Sequence, residues 1–134
     1  MIVVDTNILI YYYVKGDYTE MAAQVYAKNP VWVAPFLWRS EFRNVTLRYL
    51  QKEILTLPQI LKLAQAAELL MRDHEFHVAT DDVYRLAGSS SCSAYDCEYV
   101  ALAQALDVQL VTLDKQVLRA FPDIAVSMSH FLGR

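Results

Sequence analysis

Glycine and proline are scarce, at 3 and 4 residues in a chain of 134. So few turn formers exclude a disordered chain, a flexible linker and a turn-rich all-β fold. Cysteine is scarcer still: only Cys92 and Cys97 occur. No other Cys or His stands near them at ligand spacing, so they read as reduced thiols of a cytoplasmic protein, not as a disulfide framework or a zinc site. No apolar run nears the roughly 20 residues of a membrane-spanning helix. The first residues lack the basic start of a secretory leader, and Asp5 interrupts their apolar stretch. Positive charge is not in excess either. The 12 Lys and Arg are outnumbered by 15 Asp and Glu, giving a net charge of −3 and no overall basic footprint for nucleic acid.

What is present is a large apolar fraction, 55% of residues, enough for one globular domain over residues 1–134. No repeat, charge run or composition shift marks a second domain. The segment "IVVD" at 2–5 reads as a short buried strand, and "TNILIYYYV" as a helix with Ile8, Leu9 and Tyr12 on one face. Helical pattern follows over 18–28. "VWVA" at 31–34 is a second strand, punctuated by Asn29-Pro30 and Pro35. Helices are expected over about 36–52 and from Thr56-Leu57-Pro58 to about Arg72. "EFHVA" at 75–79 reads as a third strand, with Thr80 as the N-cap of a further helix whose first turn carries Asp81 and Asp82. A helix over 93–106, a strand at 108–113, a short helix "DKQVLRAF" and a last strand "IAVSM" complete the chain. Strands alternating with helices predict an α/β fold with a mostly parallel sheet. Such sheets bind ligands beyond the carboxyl ends of their strands, where the strand order switches.

Acids stand at those ends. Asp5 follows the first strand and Asp114 follows "LVTL". In parallel strands both carboxylates reach the same edge of the sheet. Asp96 shares a helical face with Tyr99, Val100 and Ala103, and Glu41 with Leu37, Trp38 and Val45, so both acids face inward. Each has a structural reading of its own. Asp5 and Asp114 suit N-caps. Ser93-x-x-Asp96 resembles a capping box. Glu41 suits a solvated helix acid. Four converging carboxylates, however, repel one another unless cations neutralise them. Oxygen donors without His or Cys favour hard ions, Mg²⁺ or Mn²⁺, which activate water and stabilise charge on phosphorus.

"VVDTNILI" at 3–10, "WRSEFRNV" at 38–45, "SAYDCEYVALAQAL" at 93–106 and "LVTLDKQVLRAF" at 110–121 together resemble the PIN domain, and within it the VapC ribonuclease toxins. The resemblance covers most of the chain in order and spacing. It implies a three-layer α/β/α sandwich around a parallel sheet, and a metal-dependent endoribonuclease leaving a 5′-phosphate and a 3′-hydroxyl. Asp5, Glu41, Asp96 and Asp114 would then be the acidic quartet that binds Mg²⁺ or Mn²⁺. Thr6, Asn7 and Thr112 would support them, Asn7 by hydrogen bonds to the acids. The partners implied are an RNA substrate, a VapB-type antitoxin and a second copy in a homodimer, with no membrane. Where some members carry a further acid after the one matching Asp114, this chain has Lys115 and Gln116. Glu98 lies at a helical angle far from Asp96 and is left outside the quartet.

Setting aside the four site carboxylates turns the net charge of −3 into +1 for the rest, so acidity does not exclude RNA. Arg39 and Arg43 read as solvated arginines and project away from Glu41. Arg48 lies on its side and is either solvated or a phosphate contact. The aromatics of "YYY" at 11–13, with Trp32, Phe36 and Trp38, read as core or dimer packing before base stacking. His74, His77 and His130 lack partner spacing and read as structural. Two other readings stay open. Strand-then-Asp also begins phosphatases with an aspartate nucleophile, but their second Asp, two residues on, is here Asn7, which cannot transfer a proton. The other is a catalytically silent module that only binds a partner.

Overall fold

Ile2, Val3 and Val4 are consecutive and all buried. Successive strand residues point to opposite faces, so this strand is covered on both sides, the signature of a parallel sheet between helical layers. The computed structural model describes all 134 residues. In chain order the elements are β1 (Ile2–Val4), α1 (Thr6–Tyr13), α2 (Thr19–Lys28), β2 (Trp32–Pro35), α3 (Trp38–Gln51), α4 (Leu57–Met71) and β3 (Glu75–Phe76). Then come α5 (Thr80–Gly88), α6 (Ala94–Leu106), β4 (Leu110–Val111), α7 (Lys115–Ala120), β5 (Ala125–Val126) and α8 (Met128–Phe131). The five strands form one sheet in the order β3-β2-β1-β4-β5, and every pairing is parallel. The fold is the expected α/β sandwich.

The chain lays strands outward from β1 to β3 and then returns to the other side of β1 with β4 and β5. The order therefore switches between β1 and β4, and Asp5 and Asp114 follow those two strands. The core around the sheet includes Trp32, Trp38, Tyr99, Phe42, Ile8 and Leu9, each almost fully buried. No helix is long and apolar enough to cross a membrane.

Five local expectations need correction. The strands expected at 75–79 and 108–113 are hydrogen-bonded only over Glu75–Phe76 and Leu110–Val111. Thr80 is the first residue of α5, not its cap. Ala79 holds the cap position, and no side chain bonds the helix start there. The last strand stops at Val126, where Ser127 accepts a hydrogen bond from His130 N and starts α8. The β-branched run "IAV" hides this turn. Arg39 is not solvated: its Nε and Nη2 fork onto both oxygens of Glu75 at 2.5 and 2.9 Å, and Trp38 Nε1 adds a third bond at 2.8 Å. His74 is structural as expected, its Nδ1 lying 2.8 Å from the Trp32 carbonyl oxygen. His77 is exposed and stacks on exposed Phe36, with ring centroids 4.6 Å apart.

Candidate active site

An open cleft of about 310 Å³ lies at the carboxyl edge of the sheet, and Asp5, Glu41, Asp96 and Asp114 all line it. Thr6, Asn7, Ile10, Tyr11, Val45 and Tyr49 complete the wall. Residues separated by 18 to 109 positions thus meet because β1, α3, α6 and β4 end or begin at one place. A depression of similar volume beside β5 has a single acid, Asp123, and no such convergence.

Each acid is held by a different local device. Asp5 Oδ1 accepts from its neighbour Thr6 N at 2.7 Å, and Oδ2 accepts from the Thr112 hydroxyl at 2.7 Å. Thr112 is fully buried and also accepts from Asp114 N at 3.0 Å, so one hydroxyl ties the ends of β1 and β4 together. Asp114 is the N-cap of α7. Its Oδ1 accepts from Gln116 N and Val117 N, which leaves Oδ2 for a ligand. Glu41 Oε1 accepts from Thr6 Oγ1 at 3.0 Å and from Tyr99 OH at 2.6 Å, which leaves Oε2. Ser93 caps α6 through Asp96 N, but the Asp96 carboxylate does not bond back, unlike the full capping box of Thr56 and Gln59 on α4. Capping and ligation are therefore compatible here. The structural role uses one oxygen of Asp114 and none of Asp96.

The electrostatics are those of excess negative charge. Burial pushes the Asp5 carboxyl up from 3.8 to about 7, with repulsion from Glu41 and Asp96 adding to it and the bonds from Thr112 and Thr6 opposing it. None of the four acids forms an ion pair with a Lys or Arg. Burial and the charges of Glu41 and Asp5 raise Tyr99 well above its ordinary value, so its hydroxyl stays protonated and donates to Glu41. Glu98 does not line the cleft, although burial and Glu41 raise it too.

Two expectations meet a different geometry. Asn7 lines the cleft, but it makes no hydrogen bond to an acid, and its Oδ1 is buried without a partner. Arg48 is exposed in the last turn of α3 and is not among the lining residues. Sequence reasoning missed Tyr99 as a holder of Glu41. The signal was available: a tyrosine on the buried face of an Ala- and Leu-rich helix needs a partner for its hydroxyl.

The sequence profile of the PIN domain matches residues 2–124. The chain belongs to the PIN domain family. No curated protein sequence matches it. Among solved structures, this PIN domain is similar to the crystal structure of PAE2754 from Pyrobaculum aerophilum, at a TM-score of 0.75 and 15% identity, covering 99% of this chain and 97% of that one. It is also similar to FitAcB from Neisseria gonorrhoeae, at 0.73 and 14%, covering 97% and 99%. FitAB bound to an IR36 DNA fragment follows at 0.71 and 15%, covering 96% and 95%. At such identities the likeness concerns the fold.

The cleft suits a hard divalent ion in its donors. All four are carboxylates, Glu41 and Asp114 each keep one oxygen outside the internal bonds and Asp96 keeps both, and Asn7 lines the same space. No group of three or more His, Cys, Asp or Glu side chains stands close enough together to hold one ion.

Proposed function

We propose that this PIN domain is a metal-dependent endoribonuclease and the toxin of a VapBC-type toxin–antitoxin pair. The observation that carries the reading is the cleft itself: four acids at the switch in strand order, with no basic side chain to neutralise them. Asp5, Glu41, Asp96 and Asp114 would hold Mg²⁺ or Mn²⁺. Such an ion, when bound, supplies an acidified water and positive charge beside a phosphoryl group.

The chain's own contribution is preorganisation. Thr112 fixes Asp5 and the backbone of Asp114 in one stroke, and Thr6 with Tyr99 fixes Glu41, so the acids are aligned before substrate arrives. Asn7 offers an amide to the same space. Arg48, exposed in the last turn of α3, would contact a phosphate. Hydrolysis with water attacking phosphorus and the 3′ oxygen leaving gives a 5′-phosphate and a 3′-hydroxyl.

The reading brings partners with it: a VapB-type antitoxin and a second copy of the chain, in the cytoplasm. An apolar groove between α3 and α4, with Leu47, Leu57 and Leu61 each about half exposed, is a seat of the right chemistry for a partner's apolar segment. The test is cleavage of total tRNA and ribosomal RNA by the protein freed of any partner, in Mg²⁺ or Mn²⁺, with end mapping. Discrete cuts with 5′-phosphates, lost with chelator and in Asp5→Asn, are expected. Folded, metal-supplied protein that cuts no RNA while binding a partner tightly would favour the silent module instead.

A further inference from the structure

The three tyrosines of "YYY" part company in the fold. Tyr12 and Tyr13 turn into an aromatic cluster with each other, and Tyr12 also packs on Tyr26 and Trp32. Tyr11 turns the other way and lines the acidic cleft on the same helical face as Asn7, one turn before it. Helix α3 repeats this arrangement. Glu41, Val45 and Tyr49 follow at four-residue spacing, all line the cleft, and Tyr49 stands about 12 Å along the helix from Glu41. Each helix thus contributes to the cleft a polar group and, one or two turns further on, a tyrosine.

Tyr11 is backed by Tyr18, with ring centroids 4.9 Å apart and planes inclined by 52°. Tyr18 is 45% exposed, and Tyr11 and Tyr49 are half-buried, so the rings reach solvent. Buried Tyr99 and half-buried Tyr13 use their hydroxyls to bond Glu41 and the Ala66 carbonyl. The hydroxyls of Tyr11 and Tyr49 make no hydrogen bond within the chain. Burial and the neighbouring Tyr18, Tyr49 and Asp5 raise the Tyr11 phenol, so it is uncharged at neutral pH. The rings therefore add flat, neutral, partly solvated surface to a site otherwise built of carboxylates.

We infer that Tyr11 and Tyr49, with Tyr18 behind Tyr11, form a stacking subsite for an unpaired nucleobase next to the linkage held at the acids. The inference rests on the nuclease reading and adds to it the side chains of this chain that would seat a substrate base. A base inside a duplex has both faces covered by its neighbours, whereas a base in a loop or single strand offers one to an aromatic ring. The subsite selects unpaired segments without reading sequence by hydrogen bonds. Arg48 precedes Tyr49 on α3 and adds an exposed cation.

The test uses full-length Asp96→Asn protein in Mg²⁺, so that substrate is bound and not cut. Short single-stranded RNAs carry 2-aminopurine at successive positions, and fluorescence reports stacking. Quenching is expected at one position or two adjacent ones. Adding Tyr11→Leu should remove the quenching and weaken binding about ten-fold or more, Tyr11→Phe should retain both, and the matching duplex should bind weakly. Thermal melts verify that the variants fold. Unchanged binding and quenching in Tyr11→Leu, or no RNA binding at all, would overturn the subsite. Cleavage by the otherwise wild-type chain separates the two ideas. If it cuts RNA and Tyr11→Leu cuts equally well, the subsite fails and the nuclease stands. If it cuts nothing but the tyrosines still quench a bound base, the nuclease reading fails and the subsite stands.

Discussion

Glu75 and Asp5 are both half-buried acids near helix α3, and their acidities move in opposite directions. Glu75 is lowered, chiefly by the Arg39 fork, with the Trp38 indole helping and burial opposing. Asp5 is raised to about 7 by burial, with Glu41 and Asp96 as its charged neighbours. One helix serves both regions. Arg39 and Arg43 point toward Glu75 and Glu68, and Glu41 faces the cleft. On one side the chain completes its own charge balance; on the other it leaves negative charge for something else to balance. That difference separates acids paired within the fold from acids left without a cation.

The comparison is sharpest in the pH dependence of stability. In metal-free protein the folded state keeps the Asp5 proton to about pH 7, whereas the unfolded chain releases it near 3.8. The folded state binds more protons over that window, so stability falls as pH rises from about 4 to 7 and levels off above, by up to about 4 kcal/mol. Denaturant titrations of the parent and Asp5→Asn should therefore diverge across this window, with the substituted chain losing less. The Glu75 contribution has the opposite sign: it is present above the usual carboxylate range and is lost as pH falls through it.

Breaking the self-balanced side comes next in size. Arg39→Ala leaves Glu75, whose side chain is only 6% exposed, without its cation. A loss of about 2–3 kcal/mol in urea unfolding is expected, with divalent-ion binding unchanged. Thr112→Val should act on the cleft instead. It frees one Asp5 oxygen and loosens Asp114, and RNA cleavage should fall about 10–100-fold with little effect at Glu75. Arg48→Ala has the smallest expected effect. Binding of RNA should weaken a few-fold, and the slope of log affinity against log salt should drop by about one phosphate contact.

Much of this was legible in the sequence because it is carried by short-range pattern. The β-branched run before Asp5 and the strand before Asp114 placed two acids at one sheet edge, and inward-facing Glu41 and Asp96 followed from helical period. Pairings across the fold were not legible. Nothing near Arg39 in sequence points to Glu75, 36 residues on, and nothing in "YYY" says which ring faces the cleft. Those outcomes depend on how α1 and α3 rotate against their neighbours, which tertiary packing decides. Strand ends were blurred for a related reason: β3, β4 and β5 each stop after two hydrogen-bonded residues, although the apolar pattern runs further.

The most direct test of the uncompensated cleft is calorimetric titration of Mn²⁺ into metal-free protein near pH 7, in two buffers of different ionisation heat. Binding accompanied by proton release is expected, because an ion at Asp5 displaces a proton held up to about pH 7. The signal should disappear in a chain carrying Asp96→Asn with Asp114→Asn and persist in Arg39→Ala. Absence of binding to the unsubstituted chain, or undiminished binding after both aspartates are replaced, would contradict the account.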